Sequence, residues 1–175
     1  MEEPQMRKRI ALLLVVCMVS ILAMSAVATA EPKIGQTTFA AHGTKAFCVA
    51  TVIMDGDKIV DALIDEFQFV DPAAYSITVP NPDTFKNADG YVLVPKRANS
   101  ETYSANMATK GNATQPLLTS YEAIEAFVVG KTVAELEEAI KDKTSEQMVD
   151  VVSGSTLQDT LGYINALIAA AKTVQ

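Results

Sequence analysis

The sequence predicts an α+β fold in which helices pack on an antiparallel sheet, in a single domain that follows an N-terminal signal segment. Two stretches rich in β-branched and apolar residues, separated by an Asp-Gly turn, indicate a β-hairpin in the first half of the chain. Apolar residues recur at helical spacing from Ser120 to the C-terminus, and the last helix is expected to lay its apolar stripe on the sheet.

The N-terminal residues have the pattern of a secretory signal. Basic residues at 7–9 precede an apolar run at 10–24, and Ala28-Thr29-Ala30 offers small residues at the positions that a signal peptidase reads. Cleavage after this triplet leaves 145 of the 175 residues, which is enough for one domain with its own core. The alternative is an uncleaved membrane anchor, because the run and the triplet together approach the roughly 20 residues of a membrane span. We therefore expect a leader at 1–30 and one domain at 31–175.

Charge and residue usage exclude several classes of function. The chain has 14 Lys and Arg against 21 Asp and Glu, and residues 31–175 alone carry a net charge of −8, which argues against nucleic acid as a partner. Cys48 is the only cysteine after the expected leader, so an intrachain disulfide cannot form there. His42 is the only histidine, which leaves no credible zinc or haem site and no Ser-His-Asp triad without it.

The expected sheet begins with an edge strand and a hairpin. Thr37–Ala41 is the expected edge strand. Lys45–Met54 and Ile59–Val70 are the two arms of the hairpin, and the turn lies at 55–58.

The middle of the chain is less regular. Three prolines within 71–87 limit any strand there to Tyr75–Val79. A further short strand is expected at Tyr91–Val94, ended by Pro95.

Residues 96–115 form a long polar stretch that we expect to be mostly loop. Loops of this length in compact domains are usually functional or mobile. Tyr103 and Met107 are its sizeable apolar groups, and their i, i+4 spacing allows a short helix across Glu101–Ala108.

The last third is expected to be helical. Ser120–Val128 is a helix ended by Gly130, and Thr132 begins the next helix with Glu135 completing a capping box. Residues 141–148 then return the chain to the core. The final helix is expected to open at Thr156, with an apolar stripe formed by Leu157, Leu161, Ile164, Leu167, Ile168 and Ala171.

The stretch before this helix, Asp150-Val151-Val152-Ser153-Gly154-Ser155-Thr156, carries the clearest functional signal. Backbone N–H groups at a helix start lack partners within the helix and can point at an anion, so a phosphate is readily held there. An ordinary turn before a helix is the alternative interpretation, because Ser, Gly and Thr are common in such turns.

These residues resemble the flavin-attachment motif of secreted FMN-binding domains. That family includes the C subunit of sodium-translocating NADH:quinone reductase and the G subunit of the related ferredoxin-oxidising complex. Its pattern is Asp-x-x-Ser/Thr-Gly-Ala-Thr, and a flavin transferase esterifies FMN onto the final Thr through its phosphate. Asp150, Ser153, Gly154 and Thr156 match, whereas Ser155 stands where the family usually has Ala.

Two further stretches are similar to the same family. The turn Asp55-Gly56-Asp57-Lys58-Ile59 is like an Asp-Gly-Lys-Ile turn with one residue inserted, although Asp-Gly hairpins occur in many β proteins. The joint Phe-Val-Val-Gly-Lys-Thr at 127–132 is similar to a segment that precedes the attachment motif in small exported relatives.

The resemblance implies an exported electron carrier with FMN covalently attached to Thr156. In this interpretation Gly154 gives the backbone room to approach the phosphate, and Ser153 and Ser155 offer hydroxyl or backbone donors. Asp150 would be recognised by the transferase or would fix the turn.

The same resemblance gives the polar stretch a role beside the cofactor. Tyr103 and Met107 have the flat or soft side chains that suit an isoalloxazine ring, and the alternative is that they simply pack on the core.

The expected partners are a flavin transferase and redox proteins at the membrane or cell surface. The expected location is extracytoplasmic, either secreted, at the cell surface or membrane-associated through an uncleaved leader. The chemistry would belong to FMN, so the chain itself is expected to be an electron carrier and not an enzyme.

A second hypothesis is a secreted or surface-associated binding module of the same fold with no flavin. The Ser155 departure and the unassigned middle of the chain allow it. A hydrolase is disfavoured, because no nucleophile–base pair is evident and Asp65 and Glu66, as neighbours on a strand, face opposite ways.

Overall fold

The computed structural model describes residues 31–43, 46–73 and 86–174. From Pro32 onward these residues belong to one compact unit. The expected leader at 1–30 and the expected strand Tyr75–Val79 lie outside the described residues.

The strands form one four-stranded antiparallel sheet in the order β1-β2-β3-β4. Their bounds are Lys33–Phe39 for β1, Ala46–Asp55 for β2, Lys58–Val70 for β3 and Val92–Pro95 for β4. The predicted hairpin is confirmed as β2 and β3, which turn at Gly56 with a positive φ of 61° that glycine adopts without strain. The predicted fold class, an antiparallel sheet with helices packed on it, is confirmed.

The first strand differs from its prediction. It begins four residues before Thr37 and ends at Phe39, because Lys33 pairs with Met54 and Phe39 pairs with Cys48 along β2. The ladder therefore sets the length of β1, although its own sequence shows only weak alternation.

Five α-helices follow the sheet along the chain. They are α1 at Ser100–Gly111, α2 at Leu117–Val128, α3 at Val133–Ile140, α4 at Ser145–Val151 and α5 at Thr160–Ala171. A short 3₁₀ turn at Arg97–Asn99 leads into α1.

Helix α1 corrects the expectation of a long loop at 96–115. The short helix allowed there extends to twelve residues, since Tyr103 is buried in the core and Ser104 Oγ accepts a hydrogen bond from the Leu117 N–H at 2.9 Å. Asn112 ends the helix in the left-handed conformation with φ 53°. Tertiary contacts thus override a polar sequence with no helical stripe.

Helix α2 ends at Val128 as predicted but begins at Leu117 instead of Ser120. Helix α3 follows Gly130 and the predicted Thr132–Glu135 capping box. Helix α4 corrects the expectation that 141–148 is a simple return to the core. A second capping box begins it, because Thr144 accepts from the Gln147 N–H while Gln147 Oε1 accepts from the Thr144 N–H.

The final helix begins at Thr160, four residues later than predicted, so the expectation that Thr156 opens it was wrong. The Thr160 N–H and hydroxyl both donate to the Leu157 carbonyl, at 3.2 Å and 2.7 Å, which closes a tight turn in front of the helix. The Thr156 N–H points away from α5 toward Ser120 Oγ at 3.4 Å. Contacts with α2 therefore hold 155–159 as a separate loop.

The core lies between one face of the sheet and the helices. Helix α5 packs closely on β1 and the chain after it, and two glycines make this possible. A Cβ on Gly35 would lie 2.2 Å from the Ala170 carbonyl oxygen, and a Cβ on Gly162 would lie 2.4 Å from the Ala41 carbonyl oxygen. Any side chain at either position would push α5 away from the sheet.

The edge of β3 that β4 leaves uncovered is closed by other groups. The Ile64 N–H donates to Glu125 Oε1 at 2.7 Å, and the Ile64 carbonyl accepts from Arg97 Nε. Further along, the Ile59 N–H donates to the Lys131 carbonyl at 3.0 Å. These bonds satisfy backbone N–H and C=O groups of β3 that no strand of the described residues pairs with. They also hold the 3₁₀ turn and α2 against β3.

Candidate functional site

A cavity of about 180 Å³ opens between α1 and the loop before α5. The loop after β1, strand β3, the residue after β4 and the start of α2 complete its walls. Three residues that the sequence singled out, Tyr103, Met107 and Thr156, line it together.

Thr156 is half-buried on the cavity wall and is held by groups from the segment around the start of α2. Its Oγ1 accepts a hydrogen bond from the Gln115 N–H at 3.1 Å, and its own N–H contacts Ser120 Oγ at 3.4 Å. A hydroxyl has two lone pairs and one hydrogen, so the Gln115 contact uses one lone pair. The Thr156 oxygen is therefore held in position and keeps a second lone pair for another hydrogen bond.

Ser153, Gly154 and Ser155 of the motif do not line the cavity. Ser153 and Gly154 are exposed in the turn after α4, where Gly154 has a φ of 95°. Asp150 belongs to α4. Ser155 is buried, and its Oγ is 2.9 Å from Thr160 Oγ1, so this hydroxyl is used inside the fold.

Tyr103 and Met107 pack on the core, which was one of the two roles considered for them, and they also line the cavity. The Tyr103 ring is part of the hydrophobic core, Met107 packs against that core, and each lines the cavity one helical turn from the other. Packing on the core and contact with a bound ring are therefore compatible at these positions.

A buried polar cluster, which we define as Glu66, Lys96, Tyr121 and Tyr163, lies beside the cavity. Glu66 is fully buried, and its Oε2 pairs with the Lys96 ammonium and accepts the Tyr163 hydroxyl at 2.9 Å. The Tyr163 oxygen is 3.3 Å from the Tyr121 hydroxyl, and the Lys96 ammonium lies 5.2 Å from the centre of the Tyr103 ring. Lys96 and Tyr163 themselves line the cavity.

Glu66 Oε1 has no hydrogen-bond partner in the part of the chain that the structure describes. A buried charge is costly unless it is paired, so the Lys96 contact is what makes this carboxylate tolerable. Burial raises the pKa of both the Tyr163 and Tyr121 hydroxyls, which keeps them protonated as donors.

Sequence reasoning missed this cluster although one signal was present. Asp65 and Glu66 do face opposite ways: the Asp65 carboxylate accepts from the Arg97 N–H at 3.1 Å, while Glu66 turns to the core. The buried positions of β3 include Ala62, Ile64 and Glu66, which alternate along the strand. A carboxylate on the core-facing side of a strand requires a buried partner, but the sequence did not indicate Lys96 as that partner.

The rim of the cavity, which we define as His42, Thr156 and Asp159, is more open. His42 Nδ1 pairs with Asp159 Oδ2, and these side chains are 45% and 36% exposed. The hydrogen bond to Asp159 raises the pKa of His42. This contact ties His42, in the segment between β1 and β2, to the N-cap residue of α5.

The residues present fit an attached flavin in part. A positioned hydroxyl, a tyrosine ring and a thioether share the cavity with the cationic side chain of Lys96. The volume of about 180 Å³ is below the roughly 300–1,000 Å³ of pockets that enclose a whole ligand. The cavity would therefore enclose one end of the flavin and leave the rest in the open mouth.

The described ranges contain neither a candidate metal centre nor a candidate membrane-spanning helix. Within them, no group of three or more metal-ligating side chains comes together. None of the helices described is both long enough and apolar enough to cross a bilayer.

Comparisons with known proteins add no relatives. No protein-family model matches the chain, and no curated protein or solved structure is significantly similar to it. The resemblance to secreted FMN-binding domains therefore rests on sequence alone, on the motif at 150–156 and the shorter stretches at 55–59 and 127–132.

Proposed function

We propose that this chain is an exported, one-domain flavoprotein that carries electrons through FMN attached as a phosphoester to Thr156. The observation that carries the proposal is that Tyr103 and Met107 of α1 line the same cavity as Thr156, which lies far from them in sequence. The motif assigns the attachment to Thr156, and the fold supplies a tyrosine ring and a thioether beside it.

The chain would contribute attachment and orientation, and FMN would supply the redox chemistry once bound. During attachment the Thr156 oxygen would bond to the flavin-side phosphorus of a flavin dinucleotide held by the transferase. The phosphoanhydride bond would break, a nucleoside monophosphate would leave, and the hydroxyl proton would pass to the transferase. The Gln115 N–H, already 3.1 Å from Thr156 Oγ1, is positioned to donate to the resulting phosphoester. This donor takes the place of the helix N-terminus that the sequence had predicted.

Covalent attachment suits a carrier outside the cytoplasm, because a dissociating flavin would be lost. The partners in this proposal are a flavin transferase and redox proteins at the membrane or cell surface. The leader pattern at 1–30 supports export.

The test is co-expression of the full chain with a flavin transferase, followed by absorbance and intact-mass measurements. We expect a yellow protein whose mass exceeds that of the polypeptide by one FMN less one water. Thr156→Ala should remove both signals. Thr109→Ala is the matched control, because Thr109 is an exposed threonine whose hydroxyl bonds within its own helix, and it should keep both.

The second candidate is a secreted or surface-associated binding module without flavin. The small cavity favours it, since about 180 Å³ suits a single-ring ligand better than a whole FMN. A colourless protein with the mass of its polypeptide, purified from its native host, would support this candidate and overturn the carrier.

A further inference from the structure

The cavity is large enough for one ring. Its volume of about 180 Å³ is slightly above the roughly 150 Å³ of a protein cavity that holds benzene. One end of a three-ring isoalloxazine can therefore enter, and the remaining rings must project from the mouth. This inference rests on the proposed function, because it concerns which end of the flavin enters.

The polar wall of the cavity favours one end. Lys96 presents an ammonium that is almost fully buried, and Gln68 contributes an amide that can donate and accept. The dimethylbenzene end of the flavin offers these groups no hydrogen bond. The pyrimidinedione end offers carbonyl oxygens and an imide N–H, which match an ammonium and an amide.

The ammonium is held in place from behind. The Glu66 carboxylate balances the charge of the Lys96 ammonium and also accepts a hydrogen bond from the Tyr163 hydroxyl. The backbone of Lys96 is held as well, because its N–H donates to the Glu66 carbonyl at 2.8 Å. An ammonium has three N–H donors, and Glu66 is the hydrogen-bonding partner that the described residues give it. Donor capacity therefore remains for a ligand carbonyl, and the near-neutral pair favours a neutral carbonyl over a free anion.

We propose that Lys96 and Gln68 bind the carbonyl edge of the pyrimidinedione ring, with Glu66 and Tyr163 as positioning residues for Lys96. The dimethylbenzene edge then lies at the mouth, where a redox partner can approach it. A cation at the carbonyl edge also stabilises the negative charge that reduction places on the ring.

The test uses the full chain with Thr156→Ala, which cannot be esterified, and lumiflavin, which has the ring system without the ribityl phosphate. Binding is followed by quenching of flavin fluorescence. Gln68→Leu should raise the Kd for lumiflavin at least tenfold, because the imide edge loses its partner. The matched control is Gln36→Leu, since Gln36 is an exposed glutamine of β1 that does not line the cavity and should change the Kd less than twofold.

A ligand whose imide N–H is blocked tests whether Gln68 contacts the imide edge of the ring. 3-Methyllumiflavin should bind the Thr156→Ala chain at least tenfold more weakly than lumiflavin, and Gln68→Leu should abolish this difference. Equal binding of the two ligands, or no binding of lumiflavin at all, would overturn the inference.

The role of Lys96 needs a variant that folds. The pair Lys96→Met with Glu66→Gln removes both charges together and keeps an acceptor for Tyr163, and retention of the near-ultraviolet circular dichroism confirms the fold. A tenfold or greater loss of lumiflavin affinity supports the assignment, and an unchanged Kd contradicts it.

The two proposals fail separately. Suppose the parent chain forms the Thr156 adduct, but the Kd for lumiflavin changes neither with Gln68→Leu nor with methylation of the imide. The proposed electron carrier would then be retained and the proposed ring orientation rejected. In the converse case, lumiflavin binding weakens with both changes while the protein from its host carries no adduct. The ring orientation would then hold for a dissociable flavin, and the covalent carrier would be rejected.

Discussion

The buried polar cluster and the rim lie at the same cavity but are held differently. Strands and a buried ion pair hold the cluster, whereas connecting segments carry the rim. Glu66 is fully buried on a central part of β3 and pairs with Lys96, just after β4. His42 and Asp159 are partly exposed on the segments before β2 and α5. Changes to the cluster should therefore lower stability more than changes to the rim.

The largest effect is expected from Lys96→Met. It leaves the Glu66 carboxylate buried without its cation, which should lower the free energy of unfolding by about 3–5 kcal/mol. Urea denaturation followed by circular dichroism measures the loss. The double variant with Glu66→Gln should recover at least half of it, and a single-variant loss below about 1 kcal/mol would contradict the importance of the pair.

Gly162→Ala should have the next largest effect, because its Cβ would lie 2.4 Å from the Ala41 carbonyl oxygen. Overpacking of this kind costs about 1–3 kcal/mol and would displace the loop that carries His42. Gly111→Ala is the control: a Cβ there meets nothing within 4 Å, so stability should be unchanged or slightly higher. Thermal denaturation of the two variants side by side gives the comparison, and equal melting temperatures would refute the close contact.

Ser155→Ala should lower the free energy of unfolding by about 1 kcal/mol, because Thr160 Oγ1 loses one of its partners. The change also restores the alanine that the flavin-attachment motif usually has. We therefore expect the yield of Thr156 adduct, measured by intact mass, to be equal or higher. A lost adduct in a folded variant would instead mean that the Ser155 hydroxyl takes part in attachment.

The smallest effect is expected from the His42–Asp159 pair. Since Asp159 raises the pKa of His42, the pair contributes its full stability below the ordinary value of 6.5 and loses it as pH rises through the raised pKa. The pair is partly exposed, so screening by solvent keeps the change below about 1 kcal/mol. His42→Gln should flatten the dependence of unfolding free energy on pH in this window, and an unchanged slope would show that another group titrates there.

The same contrast explains what the sequence could predict. The β2–β3 hairpin, Gly130 and the Thr132–Glu135 box are local signals, and all are present in the structure. The extent of α1 and the late start of α5 depend on contacts with Leu117 and Ser120, which no local pattern encodes.

For the site, the motif indicated Thr156, and helical spacing linked Tyr103 to Met107. The partners that complete the cavity were not predictable in this way. Lys96 and Glu66 are thirty residues apart, and the pairing of β3 with β4 brings them together. Such a pair becomes visible only when the strand register is known.

The closed edge of β3 has a consequence for how copies of this chain behave toward one another. A strand with unpaired amides can recruit a strand from a neighbouring molecule and seed fibrillar assembly. Here the amide and carbonyl of Ile64 are engaged by Glu125 and Arg97, and the backbone beside Gly130 engages Ile59. A second molecule that paired with this stretch would first have to break these bonds, so we expect the Glu125–Arg97 pair to hinder strand pairing between copies.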